Sequence, residues 1–329
     1  MALPRFAAAL ALALGLLHPC WAQDTQVVTL PAPPPGATSQ PSSHAVAAVS
    51  SVPAAAAVPA GGLLWKATSA TATVYLAGSL HFGSQDMYPL PQAMESAFEA
   101  SSVLVVELDP SAVSQASVLN LMATSAMYPP GDTLWNHVSE RTRSHFPAFA
   151  AGLGLNAEML ARMKPWAVSF MLAGPTMQAA GMRPDLGIDM HFLGKARGVK
   201  RVEELETAQQ QIRAFLDVPE REHAQALEEA VTEPERGRQI LRTMKAAWLK
   251  GDAAAIEALL SEEFRDAPET RRLLLDDRNV RMAAAVERYL QGSEPCFVVV
   301  GAGHLVGKGG IVSRLIEKGF SVKRVAPAN

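Results

Sequence analysis

Two histidines stand in the same local pattern near opposite ends of the chain, in Gly78-Ser-Leu-His81 and Gly301-Ala-Gly-His304. An apolar run typical of a β-strand precedes each pattern, at residues 73–77 and 296–300. A strand that ends in glycine and then presents a histidine places the imidazole at the carboxyl edge of an α/β sheet, where ligands bind. If the two strands are neighbours, the imidazoles meet and form half of a metal site.

Glu107 is a third candidate, because it places a carboxylate at the end of the apolar run 103–106. A buried charge costs several kcal/mol unless it is paired, neutralised or bound to a metal. Two imidazoles and one carboxylate, with an open position for water, form a hydrolytic metal set. Such a metal lowers the pKa of bound water and polarises a carbonyl. The sequence contains no HExxH helix, so a standard zincin is excluded.

Each of these residues also has an ordinary structural interpretation. A histidine that follows a strand is often a hydrogen-bonded loop residue, and an acid at a strand end is often exposed. Arg278-Asn279 lies in a predicted helix and is either a solvated face or a clamp for a substrate carboxylate or carbonyl oxygen. Asp189 either caps a predicted helix at 186–197 or belongs to the site.

Other catalytic and binding classes are poorly supported. The Gly301 loop lacks the P-loop spacing, and too few residues follow it for a Rossmann half. A Gly-x-Ser-x-Gly elbow is absent. The 329 residues carry a net charge of -3 without a basic block, so nucleic-acid binding has no electrostatic support.

The N-terminal residues 1–22 are predicted to be a secretory signal peptide. A short basic start precedes the apolar run 6–17, and cleavage is expected after Ala22. We therefore expect a periplasmic or secreted protein; acylation of Cys20 as a lipoprotein is the minor alternative. Cleavage leaves Cys296 as the one cysteine, a buried small hydrophobe that has no disulfide partner within the chain.

The remaining chain divides into a tether and one folded domain. Residues 23–61 are rich in Ala, Pro and Ser and are predicted to be a disordered tether. If the protein lies near a membrane, we expect this tether alone to hold it there. Residues 62–329 are predicted to form a mixed α+β domain of the α/β class, with a central sheet from both ends of the sequence and a large helical insertion. The expected strands lie at 63–67, 71–77, 103–108, 199–202, 296–300 and 321–325. The expected helices lie at 91–100, 111–127, 133–151, 156–180, 186–197, 203–216, 220–249, 252–264, 267–290 and 307–318.

Seven sequence pieces, in order from about residue 63 to 325, resemble the TraB/GumN family, whose animal relatives include the Tiki metalloproteases. They are Tyr75-Leu-Ala-Gly-Ser-Leu-His81, Val105-Val-Glu-Leu-Asp109, Lys164-Pro-Trp166, Gly187-Ile-Asp189, Leu205-Glu-Thr207, Asp277-Arg-Asn279 and Val300-Gly-Ala-Gly-His-Leu305. The resemblance implies a metal site of His81, Glu107 and His304. It also implies a fold like those of the erythromycin esterases and of a haem-binding lipoprotein.

The first hypothesis is an exported metal-dependent hydrolase, most simply a peptidase, acting on a peptide, a protein or a cell-envelope component. The resemblance implies manganese or cobalt, and zinc suits the same ligands. Glu107 is the third ligand or the base, Arg278 stabilises developing negative charge, and Asp189, Glu206 and Asn279 support the ligands from behind. The alternatives are a non-catalytic haem- or glycan-binding envelope protein and a metal-free esterase that uses His81 and Glu107.

Overall fold

The structure is a computed structural model that describes residues 61–113, 120 and 124–326. Six strands form one mixed sheet in the order β4-β3-β5-β2-β1-β6. The strands are β1 Leu63–Thr68, β2 Thr73–Ser79, β3 Val103–Val106, β4 Arg201–Glu204, β5 Cys296–Gly301 and β6 Ser321–Arg324. The sheet thus joins both ends of the described chain, and the prediction of a mixed α+β fold is confirmed.

The central strand β5 lies between β2 and β3 and runs parallel to both. Its register pairs Gly301 with Ser79 on one side and Val299 with Val106 on the other. All six residues of β5 are buried, as expected for a strand that is covered on both faces and therefore apolar throughout. The carboxyl ends of β2, β5 and β3 consequently share one edge of the sheet, and the two strands that precede His81 and His304 are neighbours.

Helices from the centre of the sequence cover the sheet, in two blocks before and after β4. The helices before β4 are α1 Gln92–Glu99, which precedes β3, and then α2 Glu140–Gly152, α3 Ala157–Leu160, α4 Pro165–Ala179 and α5 Ile188–Ala196. The second block comprises α6 Ala208–Leu216, α7 Glu220–Thr232, α8 Pro234–Lys250, α9 Ala253–Glu263, α10 Pro268–Arg271 and α11 Asp277–Leu290. After β5 come the short α12 Ala302–Leu305 and α13 Ile311–Glu317.

Several helix boundaries differ from the prediction for local reasons. The predicted helices 156–180 and 220–249 are each divided, because Pro165 and Pro234 start new helices and the residue before a proline avoids helical backbone. The predicted helix 203–216 begins only at Ala208, where Thr207 and Gln210 form a capping box. The predicted helix 307–318 begins at Ile311, because Gly307 has a left-handed φ of 76°.

A π-helical turn, Arg272–Asp276, joins α10 to α11, so that the predicted helix 267–290 is one continuous rod with an irregular turn. Such turns often occur at functional sites. Here the turn ends two residues before Arg278, which is buried together with its neighbour Asn279. The predicted helix 111–127 falls largely outside the described residues, as do the predicted signal peptide and nearly all of the tether.

The core of the domain lies between the sheet and its helices, and Trp248 of α8 is its largest fully buried side chain. The Trp248 indole Nε1 donates a hydrogen bond of 2.7 Å to the carbonyl of Gly78, which fixes α8 against the end of β2. None of the helices that the structure describes combines the length and apolar character that a membrane span requires.

Candidate active site

His81, Glu107 and His304 meet at the carboxyl edge formed by β2, β3 and β5. Glu107 directly follows β3, His81 lies two residues beyond β2, and His304 lies in α12 just after β5. The three residues are 6%, 6% and 0% exposed. Glu107 Oε1 is 3.9 Å from His81 Nε2 and 3.7 Å from His304 Nε2. Both imidazoles therefore face the same carboxylate oxygen.

The Glu107 carboxylate is held by two donors. Its Oε2 accepts a 2.7 Å hydrogen bond from Arg278 Nη2, and its Oε1 accepts a 2.5 Å bond from the backbone N–H of Gly301. Burial raises the pKa of Glu107, but the nearby His304, Arg278 and His81 outweigh it and lower the pKa to about 2. Glu107 is therefore ionised and held in place. The alternative interpretation, an exposed acid at the end of a strand, is wrong because Glu107 is buried.

Asn279 fixes the tautomer of His304. The Asn279 amide nitrogen donates to the carbonyl of Gly309 at 3.0 Å, which leaves its Oδ1 to face His304 Nδ1 at 2.6 Å. An amide oxygen only accepts, so the proton of His304 lies on Nδ1 and the lone pair on Nε2. Burial, with smaller contributions from Arg278 and His81, outweighs the nearby Glu107 carboxylate, which raises the pKa of His304, and lowers that pKa to about 3. His304 is therefore a neutral imidazole whose free lone pair faces Glu107.

Asp189 supports His81 from the opposite side. Its Oδ2 lies 3.3 Å from His81 Nδ1, and its Oδ1 accepts a 2.7 Å hydrogen bond from the hydroxyl of Ser79. Burial lowers the pKa of His81, but the carboxylates of Asp189 and Glu107 more than compensate, so the pKa is raised. The capping interpretation of Asp189 is wrong, because Gly187 is the N-cap of α5 and Asp189 is buried within its first turn.

Arg278 is buried, with 1% exposure, and is not on a solvated helix face. Its Nε donates to Glu206 Oε2 at 2.8 Å, its Nη1 donates to the carbonyl of Leu274 at 3.2 Å, and its Nη2 holds Glu107. Glu206 also accepts a 3.2 Å hydrogen bond from Arg281. Through these contacts Arg278 and Glu206 position Glu107. The proposed stabilisation of negative charge on a substrate by Arg278 stays a prediction.

Gly301 leaves open the space on which the three side chains converge. A Cβ atom at this position would lie 3.1 Å from His81 Nε2, 3.2 Å from Glu107 Oε1 and 3.5 Å from His304 Cδ2. Any larger residue would therefore occupy the place that an ion or a substrate atom could take. The glycine in the sequence motif thus has a steric role and not a conformational one, because its φ of -50° is accessible to other residues.

The donor chemistry suits a divalent metal. His81 Nε2 and His304 Nε2 are buried without a hydrogen-bond partner among the described residues. With Glu107 Oε1 they make the set of two imidazoles and one carboxylate that binds such ions. As the side chains stand, the described residues contain no group of three or more such donors that could hold an ion.

Sequence reasoning missed the contributions of Ser79, Arg281 and Trp248. Ser79 lies inside the Gly78-Ser-Leu-His81 motif, at the end of the strand that precedes His81. The motif itself could therefore have indicated that Ser79 belongs to the site, where its hydroxyl contacts Asp189. Arg281 and Trp248 had no local signal, because their contacts with Glu206 and Gly78 join residues 75 and 170 positions apart. The predicted residues Asp189, Glu206 and Asn279 all lie directly behind the His81, Glu107 and His304 cluster.

The fold and the site define a mixed α+β protein with a buried His–Glu–His cluster at the carboxyl edge of its sheet. The family model of the TraB/PrgY/gumN family matches residues 63–324, and the chain belongs to this family. The chain is similar to the uncharacterized protein YbaP of Escherichia coli (strain K12), with 28% identity over 242 residues that cover 73% of this chain and 87% of that protein. The uncharacterized protein YbaP of Shigella flexneri is similar to the same extent, 28% over 242 residues. No solved structure matches the chain.

Proposed function

We propose that this protein is an exported metal-dependent hydrolase that cleaves peptide bonds. The observation that carries the proposal is the pair of buried, unpartnered Nε2 atoms of His81 and His304, which face one oxygen of Glu107 across the gap left by Gly301. Unpartnered buried polar atoms are costly in a folded protein, and a ligand that satisfies them explains their retention. Family membership gives no activity by itself, because the similar YbaP proteins are uncharacterized.

A bound divalent ion would act as a Lewis acid toward a carbonyl and lower the pKa of a water molecule. His81, His304 and Glu107 would hold it. Glu107 is proposed as a ligand and not as the base, because its Oε1 faces both Nε2 atoms while its Oε2 is taken by Arg278. The hydrogen bond to Asn279 keeps the Nδ1 proton of His304 in place. Asp189 Oδ2, 3.3 Å from His81 Nδ1, favours a proton on that nitrogen, so that both contacts would direct the Nε2 lone pairs to the site.

Metal analysis combined with activity tests the proposal. The protein without residues 1–22 is dialysed against chelator, reloaded with Mn²⁺, Co²⁺ or Zn²⁺, and assayed on an unfolded protein such as casein. We expect about one ion per chain and cleavage that is lost with chelator and with His304→Ala. The exposed His145 gives the matched control His145→Ala, which should behave like the wild type. Absence of metal binding with activity unaffected by chelator would contradict the proposal.

The same preparation separates the two alternatives. A haem-binding protein would show a Soret band on haem titration without turnover. A metal-free esterase would retain ester hydrolysis in chelator and lose it with His81→Ala. The structure does not favour the esterase, because His81 Nε2 and Glu107 Oε1 are 3.9 Å apart, which is beyond the hydrogen-bond distance that a base and its partner need.

Export is part of the proposal and rests on the predicted signal peptide at residues 1–22. Expression of the full chain in a bacterial host, followed by fractionation and N-terminal sequencing, tests it. We expect the mature protein outside the cytoplasm with Gln23 as its first residue. Uncleaved protein in the cytoplasmic fraction would contradict the export proposal and leave the active-site proposal unaffected.

A further inference from the structure

A cleft opens beside the candidate active site and shares two of its walls, His81 and Gly301. Its other large lining side chains are apolar and come from the loop after β2, from α4 and the loop that follows it, and from α8: Leu80, Phe82, Met177, Met182, Leu241 and Met244. We call it the methionine cleft.

The walls of the methionine cleft are anchored to the backbone that carries His81. Trp248 of α8 donates to the carbonyl of Gly78, and Lys245 Nζ, also on α8, lies 2.9 Å from Asp86 Oδ2. Gly83 and Arg183 exchange two backbone hydrogen bonds of 2.9 and 2.7 Å, which tie the Phe82 loop to the Met182 loop. The cleft is therefore formed before a ligand enters, and its distance from the site is fixed.

The chemistry of the methionine cleft selects an apolar occupant. Among the described residues that line it, none is Asp, Glu, Lys or Arg, and the hydroxyl of Ser79 is already donated to Asp189. Apart from His81 at the end that the cleft shares with the active site, no side chain of this lining would replace the water that a charged or strongly polar group loses on entry. The thioethers of three methionines fill irregular space and adapt to side chains of different shape.

We propose that the methionine cleft binds one large apolar side chain of the substrate, such as Leu, Phe or Met, at the residue next to the scissile bond. This inference rests on the proposed peptidase function and names its specificity. The shared walls support it, because a side chain seated against His81 and Gly301 places its own peptide group at the space where His81, Glu107 and His304 converge. A glycan is disfavoured by the scarcity of hydrogen-bonding groups in the lining.

Binding is measured without turnover, so that the test does not depend on catalysis. Hexapeptides that differ at one central residue, Leu, Phe, Ser or Asp in an otherwise Ala-Gly sequence, are titrated calorimetrically into the wild-type protein in chelator. We expect the Leu and Phe peptides to bind at least about 10-fold more tightly than the Ser and Asp peptides, the effect of burying one such side chain. Equal binding of all four peptides would overturn the proposal.

Two substitutions and a matched control test whether the preference for Leu and Phe peptides arises in the methionine cleft. Met244→Ala enlarges the cleft and should shift the preference from Leu toward Phe, and Met244→Phe fills it and should remove the preference. Met94→Ala, at a methionine that is 1% exposed in α1 and outside the lining, should keep the wild-type preference. Thermal melts confirm that each variant is folded, and unchanged selectivity in both folded Met244 variants would contradict the proposal.

The outcomes separate the two proposals. Selective binding with no metal-dependent cleavage would uphold the subsite and reject the hydrolase. Metal-dependent cleavage without side-chain selectivity, in the same peptide series, would uphold the hydrolase and reject the subsite.

Discussion

At the scale of single residues, the site depends on a chain of buried charges. Arg278 lies between two buried carboxylates, Glu107 and Glu206, and contacts both. Desolvation of three ionised groups is expensive, and the geometry offsets that cost only while all three are present. A gain in folding stability does not explain why such a cluster is kept in a protein interior. The positioning of the Glu107 carboxylate by Arg278 explains it better.

Removal of the central cation should therefore destabilise the protein strongly. Arg278→Met leaves two carboxylates buried without their guanidinium, so we expect the free energy of unfolding to fall by about 3–5 kcal/mol. Arg272→Met is the matched control, because Arg272 is exposed, pairs with half-exposed Glu269 and Asp277, and should contribute far less to the free energy of unfolding. Urea denaturation at pH 7 measures both. Equal stability of the two variants would contradict this account of Arg278.

Gly301 allows a second test at this scale. Its backbone, with φ -50° and ψ 135°, accepts alanine, so Gly301→Ala should fold with a loss of about 1–3 kcal/mol from the close contacts of the new Cβ. The added methyl group occupies the space between the three donors, so we expect the affinity for Mn²⁺ to fall at least about 10-fold. Gly152→Ala is the control, because a Cβ there meets open space. Wild-type affinity in Gly301→Ala would show that the ion does not bind at this place.

At the scale of elements, the sequence predicts where the strands lie, because each buried strand is an apolar run that can be recognised without knowledge of its neighbours. The apolar runs before His81, Glu107 and His304 indicate three buried strands, and the structure places them side by side. The strand order itself has no local signal. The pairing of Arg278 with Glu107 and Glu206 likewise joins residues 171 and 72 positions apart, so only the folded chain reveals it.

The attachment of α8 to β2 is the element-scale feature on which the site and the cleft both depend. Trp248→Phe removes the hydrogen bond to Gly78 and leaves a cavity, so we expect a loss of roughly 2–3 kcal/mol. The half-buried Trp135, which packs against Phe146 in the helical layer, gives the control Trp135→Phe with a smaller loss. Thermal and urea unfolding measure both changes. A larger loss in Trp135→Phe would contradict the importance of the attachment.

At the scale of the whole molecule, one sheet joins the two ends of the described residues. The stability of the protein should depend on pH through a histidine outside the candidate active site. His223 in α7 is buried, and its Nε2 donates to the carbonyl of Phe215 at 3.1 Å. Burial lowers the pKa of His223 from 6.5 to about 4. Above pH 6.5 both the folded and the unfolded chain hold this imidazole neutral.

Below that pH the unfolded chain binds a proton that the folded chain refuses, so stability should be lost between pH 6.5 and about 4. The loss reaches roughly 3 kcal/mol at the acid end. His223→Gln retains a donor for Phe215 and should remove this part of the pH dependence, whereas His145→Gln, at an exposed histidine, should not. Urea unfolding from pH 4 to 7 measures the difference between each variant and the wild type. An unchanged slope in His223→Gln would contradict the prediction.

The most direct test of the metal site is a crystal of residues 61–326 soaked in Mn²⁺ and measured for anomalous scattering. We predict one strong peak at about 2 Å from His81 Nε2, His304 Nε2 and Glu107 Oε1, beside the backbone of Gly301. A well-ordered site without such a peak, or a peak bound by other side chains, would contradict the central claim that these three residues share one divalent ion.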